Sequence, residues 1–152
     1  MPPWWKSDPI KALEARNERA HKLFHAALAQ AFWDGGWCIY CDELLHIDRL
    51  GLRTDVETNL TEGRKRGISV VCGMQRPVQV TRFALGESRH IISFALEGRD
   101  VKEFRDVTNE IAAESAYSLD PDKYEFVWYC KPRGCWVGHL NMATGQLEGE
   151  YR

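Results

Sequence analysis

A chain of 152 residues, 44% of them hydrophobic and 28% charged, has apolar material for one domain with its own core and little for a second. That composition excludes a disordered chain, and a net charge of -2 excludes one that coats nucleic acid through bulk electrostatics. No apolar run approaches the ~20 residues of a membrane helix, and the opening Met1-Pro2-Pro3-Trp4-Trp5-Lys6 lacks the basic-then-apolar layout of an export signal. A cytoplasmic chain with no membrane partner is expected. Its five cysteines then read as small buried hydrophobes rather than disulfides.

The first predicted element is a helix, with Ser7 or Asp8 as cap and Pro9 in its first turn. Apolar residues at Ile10, Leu13, Leu23, Phe24, Ala27, Leu28, Ala31 and Phe32 recur at helical spacing, and Gly35-Gly36 supplies the stop. Trp37-Cys38-Ile39-Tyr40-Cys41 then reads as a strand buried on both faces, ending in Asp42-Glu43. A helix is expected over 54–66 with Val56 and Leu60 inward, closed by Gly67. The next strand runs from Ile68 to Met74 and stops at Gln75-Arg76-Pro77. A short helix over 81–85 leads to a third strand, His90 to Leu96, and Asp100 can cap a helix over 101–115. Beyond it, 124–129 and 135–140 flank the turn-rich Lys131-Pro132-Arg133-Gly134 and predict a β-hairpin. The alternation of strand and helix points to an α/β fold with a mostly parallel sheet and flanking helices, plus the C-terminal hairpin. The expected organisation is an N-terminal helix over 1–36, a core over 37–118 and a hairpin extension over 119–152, packed as one compact domain.

Two carboxylates directly after an apolar strand stand where charge is costly unless something pairs with it. The carboxyl edge of a parallel sheet is also where ligands bind. Asp42 there suits Mg²⁺ held largely through water, and Glu43 suits the orientation and deprotonation of an attacking water. The plain alternative is a helix start, where the dipole favours acidic residues.

Further motifs add to this pair. Gly63-Arg64-Lys65-Arg66-Gly67 ends a helix, Val70-Val71-Cys72-Gly73-Met74-Gln75-Arg76-Pro77 forms a strand and its exit, and Ser88 to Phe94 leads to Arg99-Asp100. In order and spacing, residues 37–105 resemble the Walker B and sensor half of an FtsK/HerA-type P-loop ATPase, the family of DNA translocases and phage packaging-type ATPases. Met74 stands where that family commonly has threonine. The resemblance implies catalytic roles for Glu43, for Gln75 at the γ-phosphate or attacking water, and for Arg64 as an arginine finger into a neighbouring subunit. Arg66 is a rival for the last role, and a solvated cationic helix end explains Arg64, Lys65 and Arg66 equally well. Arg76 positions a loop; Arg82 and Arg89 read as scattered surface residues.

The phosphate-binding signature Gly-x-x-x-x-Gly-Lys-Ser/Thr occurs nowhere in these residues. Mg²⁺ and ATP are therefore expected only in a completed site, and none in the isolated chain. The resemblance also places the missing strand between those at 68–74 and 90–96, leaving open edges. The partners implied are a P-loop-bearing polypeptide or copies of the chain itself, with DNA as a further candidate. The alternative function is a non-catalytic interaction module derived from such an ATPase.

Other classes fare worse. Cys38-x-x-Cys41 with Cys130-x4-Cys135 superficially resembles a four-thiolate zinc site, but residues three apart on a strand point to opposite faces. The same strand location argues against a Cys-x-x-Cys redox enzyme, which needs its first cysteine at a helix start. His21 and His25 share a helix face, without the glutamate of a His-Glu-x-x-His metal motif. Trp4, Trp5, Trp128, Tyr129 and Trp136 are candidates for a partner surface or for the core.

Overall fold

The computed structural model describes residues 9–79 and 82–152, with side-chain burial described over 13–78 and 82–152. The proposed cap at Ser7 or Asp8, the Trp4-Trp5 pair and Thr81 lie outside the described residues. The chain forms two compact units whose boundary falls between Gln75 and Arg76.

The first unit opens with α1 (Pro9–Asp34), 26 residues long. Gly35 and Gly36 end it with φ of 68° and 71°, as the sequence predicts. Gly35 is also sterically required: a Cβ there would lie 2.6 Å from the Arg66 carbonyl oxygen. The expected apolar stripe is not what holds this helix. Leu13, Leu23 and Phe24 are exposed, and Leu28 is its one buried hydrophobic residue among those described. Polar anchors take over. His21 Nδ1 donates to the Leu50 carbonyl at 2.7 Å, and His25 Nδ1 donates to Asp55 Oδ1 at 2.8 Å.

β1 (Cys38–Cys41) is followed at once by α2 (Leu44–Arg49), a short helix that the periodicity does not reveal. Next come α3 (Arg53–Thr61) and a 3-10 turn over Gly63–Arg66 that Gly67 closes at φ 72°. The single helix expected over 54–66 is thus tightened in its last turn. Leu44, Leu52, Val56 and Ile68 form this unit's core. β2 (Ser69–Cys72) pairs in parallel with β1, Cys38 opposite Ser69 and Cys41 opposite Cys72. Burial on both faces does not hold. Cys38, Tyr40, Ser69 and Val71 share an open face, because this sheet has two strands and nothing described covers that side.

The second unit holds α4 (Arg82–Glu87), β3 (His90–Ser93), α5 (Arg99–Val107), α6 (Glu110–Tyr117), β4 (Glu125–Cys130), β5 (Gly134–Asn141) and β6 (Gln146–Tyr151). The strands make one antiparallel sheet in the order β3-β4-β5-β6. The α/β class, the parallel pair and the C-terminal hairpin are all present. Two details differ. The hairpin gains a third strand, β6, and the strand at 90 joins this meander through Ile92 opposite Trp128. The helix expected over 101–115 is divided at Thr108 (ψ -108°), and Asn109 starts α6 by accepting from the Ala112 N–H at 2.8 Å.

α6 packs on β4 and β5 through Ala112, Ala113 and Ala116, all fully buried. Small side chains there let the helix lie close to the sheet. Phe104 of α5 is 1% exposed and is among the largest fully buried side chains. Phe104→Ala is expected to cost about 3–5 kcal/mol of stability, read as a lower urea midpoint with an unchanged slope.

Candidate functional site

The carboxyl ends of β1 and β2 bring the acidic pair and the Gly73-Met74-Gln75 segment together. Pairing continues past the strands: the Gly73 N–H donates to the Cys41 carbonyl at 2.7 Å, and the Leu44 N–H donates to the Gly73 carbonyl at 3.0 Å. Gly73 lies so close to Asp42 that a Cβ on it would stand 2.2 Å from the Asp42 carbonyl oxygen. A side chain at 73 would push the acidic strand end away from the exit of β2.

Asp42 is exposed, and its Oδ1 accepts from the Tyr40 hydroxyl at 2.9 Å. Residues 40 and 42 share the open face, so a tyrosine two places earlier in the strand orients the carboxylate. The bonded carboxylate in turn holds the Tyr40 phenol above its usual pKa. Glu43 is half-buried and caps α2, its Oε1 accepting from the Leu45 N–H at 3.3 Å. The helix-start reading of Glu43 is therefore correct as local structure. At 3.3 Å the cap is a long, weak bond, and the carboxylate keeps lone pairs for a second partner.

Gln75 is exposed, two residues beyond Gly73 at the same end of the strands. The next residue begins the second unit and is firmly held there. Arg76 Nε donates to Asp100 Oδ2 at 2.9 Å, and the Val78 N–H donates to Asp100 Oδ1 at 3.0 Å. Asp100 is 6% exposed and sits inside the first turn of α5, where Gly98 is the cap. The expected capping role of Asp100 is thus replaced by a clamp on the loop after Gln75. Sequence alone carried only one hint of it, an acidic residue that burial obliges to find a partner. Arg82 is likewise engaged, bonding Glu103 through Nε at 2.8 Å and Asp106 through a terminal nitrogen at 3.0 Å.

Arg64 is not brought to the acidic pair. It lies in the 3-10 turn before β2, at the amino ends of the strands, where the Gly36 N–H donates to the Arg66 carbonyl. β2 has four residues, and at ~3.3 Å per residue it alone separates the two ends by roughly 13 Å. The rival arginine is occupied: the Arg66 guanidinium lies 4.5 Å from the Phe32 ring centre and 5.1 Å from that of Trp33. Arg64 is exposed and pairs with no carboxylate among the described residues.

Among the described residues no three His, Cys, Asp or Glu side chains gather into a metal site. One exposed carboxylate suits a hydrated Mg²⁺ that arrives with phosphate ligands, and does not suit a cation held by protein alone. Cys38 is exposed and Cys41 buried, so the two diverge as their spacing predicts. Cys41, Cys130 and Cys135 are buried, whereas Cys38 and Cys72 depart from the expected burial, Cys72 being half-buried. Tyr129 is buried in its sheet; Trp128 on the opposite face is 36% exposed. No described helix is long and apolar enough to cross a membrane.

A parallel strand pair ending in an acidic dipeptide, with helices around it and an antiparallel sheet after it, gives the chain a fold similar to that of P-loop ATPases. Viral proteins are among the solved neighbours. The genome packaging NTPase B204 of Sulfolobus turreted icosahedral virus 2, in complex with AMPPCP, matches with a TM-score of 0.60 at 15% identity, over 91% of this chain and 62% of that one. B204 of Sulfolobus turreted icosahedral virus, described as a DNA-packaging ATPase, matches with a TM-score of 0.58 at 19% identity, over 86% of this chain and 58% of that one. The chain thus spans about three fifths of the length of the solved chains it matches. No known family matches the sequence, and no curated protein does.

Proposed function

We propose that this chain is the Walker B and sensor portion of a DNA-translocating or packaging-type ATPase, whose phosphate-binding loop comes from a separate polypeptide or a further segment. One observation carries the reading: Asp42-Glu43 and Gly73-Met74-Gln75 leave neighbouring parallel strands at one end, in a fold shared with viral packaging ATPases. Mg²⁺ arriving with ATP would supply charge neutralisation for the phosphates. Asp42, oriented by Tyr40, would hold that cation through its waters. Glu43 orients the attacking water and takes its proton, and Gln75 contacts the γ-phosphate or that water. Arg64 acts at the site of a neighbouring copy.

The P-loop-bearing polypeptide and copies of this chain are the proposed partners, with DNA as the cargo. B204 is a genome-packaging enzyme of a virus, which favours a phage or mobile-element setting and a chain working in the cytoplasm. The competing reading, a non-catalytic interaction module, draws support from Glu43 serving as a helix cap and from the open face of β1 and β2.

The purified chain is expected neither to bind ATP tightly nor to hydrolyse it, because nothing in its sequence cradles the phosphates. Hydrolysis should appear when a P-loop-bearing partner is added. Titration calorimetry checks the first point and phosphate release the second. Micromolar ATP affinity in the chain by itself would sink the split-site proposal, and a completed complex without turnover would favour the interaction module.

A further inference from the structure

The parallel register sets Cys41 directly opposite Cys72 at the end of the β1–β2 pair. Neighbouring strands stand about 4.7–4.9 Å apart, inside the Cα separation of about 4.4–6.8 Å that a disulfide spans. Both side chains lie on the covered face of the sheet, directly across the strand pair from each other. No other cysteine stands opposite a second one: Cys38 faces Ser69, Cys130 faces His90 and Gly134, and Cys135 faces Tyr129. Cys72 is half-buried, which leaves a route for a small oxidant.

We propose that Cys41 and Cys72 are a redox modification site that closes to a reversible disulfide with a hydroperoxide as oxidant. The Cys72 sulfur, the more accessible of the two, attacks one peroxide oxygen, the O–O bond breaks, and the leaving hydroxide takes a proton to become water. The Cys41 sulfur then attacks the resulting sulfenyl sulfur, the S–O bond breaks, and a second water leaves with the remaining proton. The two thiols lose two electrons in all, and the peroxide gains them. The product staples the residues immediately before Asp42 and Gly73, and so fixes the spacing of the acidic strand end and the sensor strand. This inference rests on the strand register and is independent of the proposed ATPase role.

The test treats the purified chain with stoichiometric hydrogen peroxide, blocks remaining thiols with N-ethylmaleimide and maps peptides without reduction. The expected result is a Cys41–Cys72 linked pair, two hydrogens lighter than its free peptides and released by dithiothreitol. In Cys41→Ser the link is absent and dimedone traps a sulfenic acid at Cys72. The proposal is overturned if Cys41 and Cys72 both remain alkylated while the exposed Cys38 carries the oxidation, or if Cys41 links to another cysteine.

Discussion

Glu43→Gln in the proposed completed ATPase is expected to lower turnover by about 10²–10⁴-fold while ATP binding persists, the size of effect a general base commands. In energy this is about 3–5 kcal/mol of transition-state stabilisation. Glutamine suits the test because it separates the two jobs of this side chain. Its amide oxygen can still accept from the Leu45 N–H, so the start of α2 is preserved. It cannot take a proton from water. Glu43→Ala removes both functions and adds the loss of a helix cap, about 1 kcal/mol of stability. Steady-state phosphate release and nucleotide affinity, measured beside the thermal midpoint of each variant, tell the roles apart. Unchanged turnover in Glu43→Gln would leave the residue as a cap alone.

The parts of this fold legible in the sequence are those fixed by local chemistry. Gly35-Gly36 and Gly67 mark helix ends because they carry positive φ, and the strand at 38–41 shows itself as apolar residues between turns. Pairing was less legible. An apolar strand such as 90–93 looks the same whether its neighbour runs parallel or antiparallel, and its partner β4 lies more than thirty residues on. β6 was missed because Gln146–Tyr151 is exposed throughout and offers no buried alternate residue to betray a strand. Its signal was the turn at Asn141-Met142-Ala143-Thr144-Gly145, where Asn141 accepts from the Ala143 and Thr144 N–H groups. α1 misled in the other direction. Its apolar residues stay largely in solvent, and two histidines make the side-chain hydrogen bonds it sends to the rest of the unit. At the site, the strand-end carboxylates could be read from their position alone. The clamp by Asp100 and the separation of Arg64 from Arg66 could not, since both depend on contacts distant in sequence.

That separation leads to the second large effect. Arg64→Ala is expected to reduce turnover of the completed enzyme by about 10³–10⁵-fold, the range of an arginine finger. Arg66→Ala should leave turnover nearly intact and cost about 0.5–1 kcal/mol of stability by releasing its contact with Phe32 and Trp33. Position also predicts whose site the finger serves. Arg64 stands at the amino ends of the strands and Asp42-Glu43 at the carboxyl ends, so one chain's arginine cannot serve its own carboxylates across roughly 13 Å of strand. Two inactive variants should therefore rescue each other. In a mixed assembly an Arg64→Ala chain keeps its own Glu43, and an adjoining Glu43→Gln chain lends it an intact Arg64. Partial recovery of phosphate release on mixing, absent from either variant alone, is the expected result. If mixing restores nothing while the assemblies exchange subunits freely, Arg64 acts within its own chain or not at all, and the basic turn reverts to a solvated helix end.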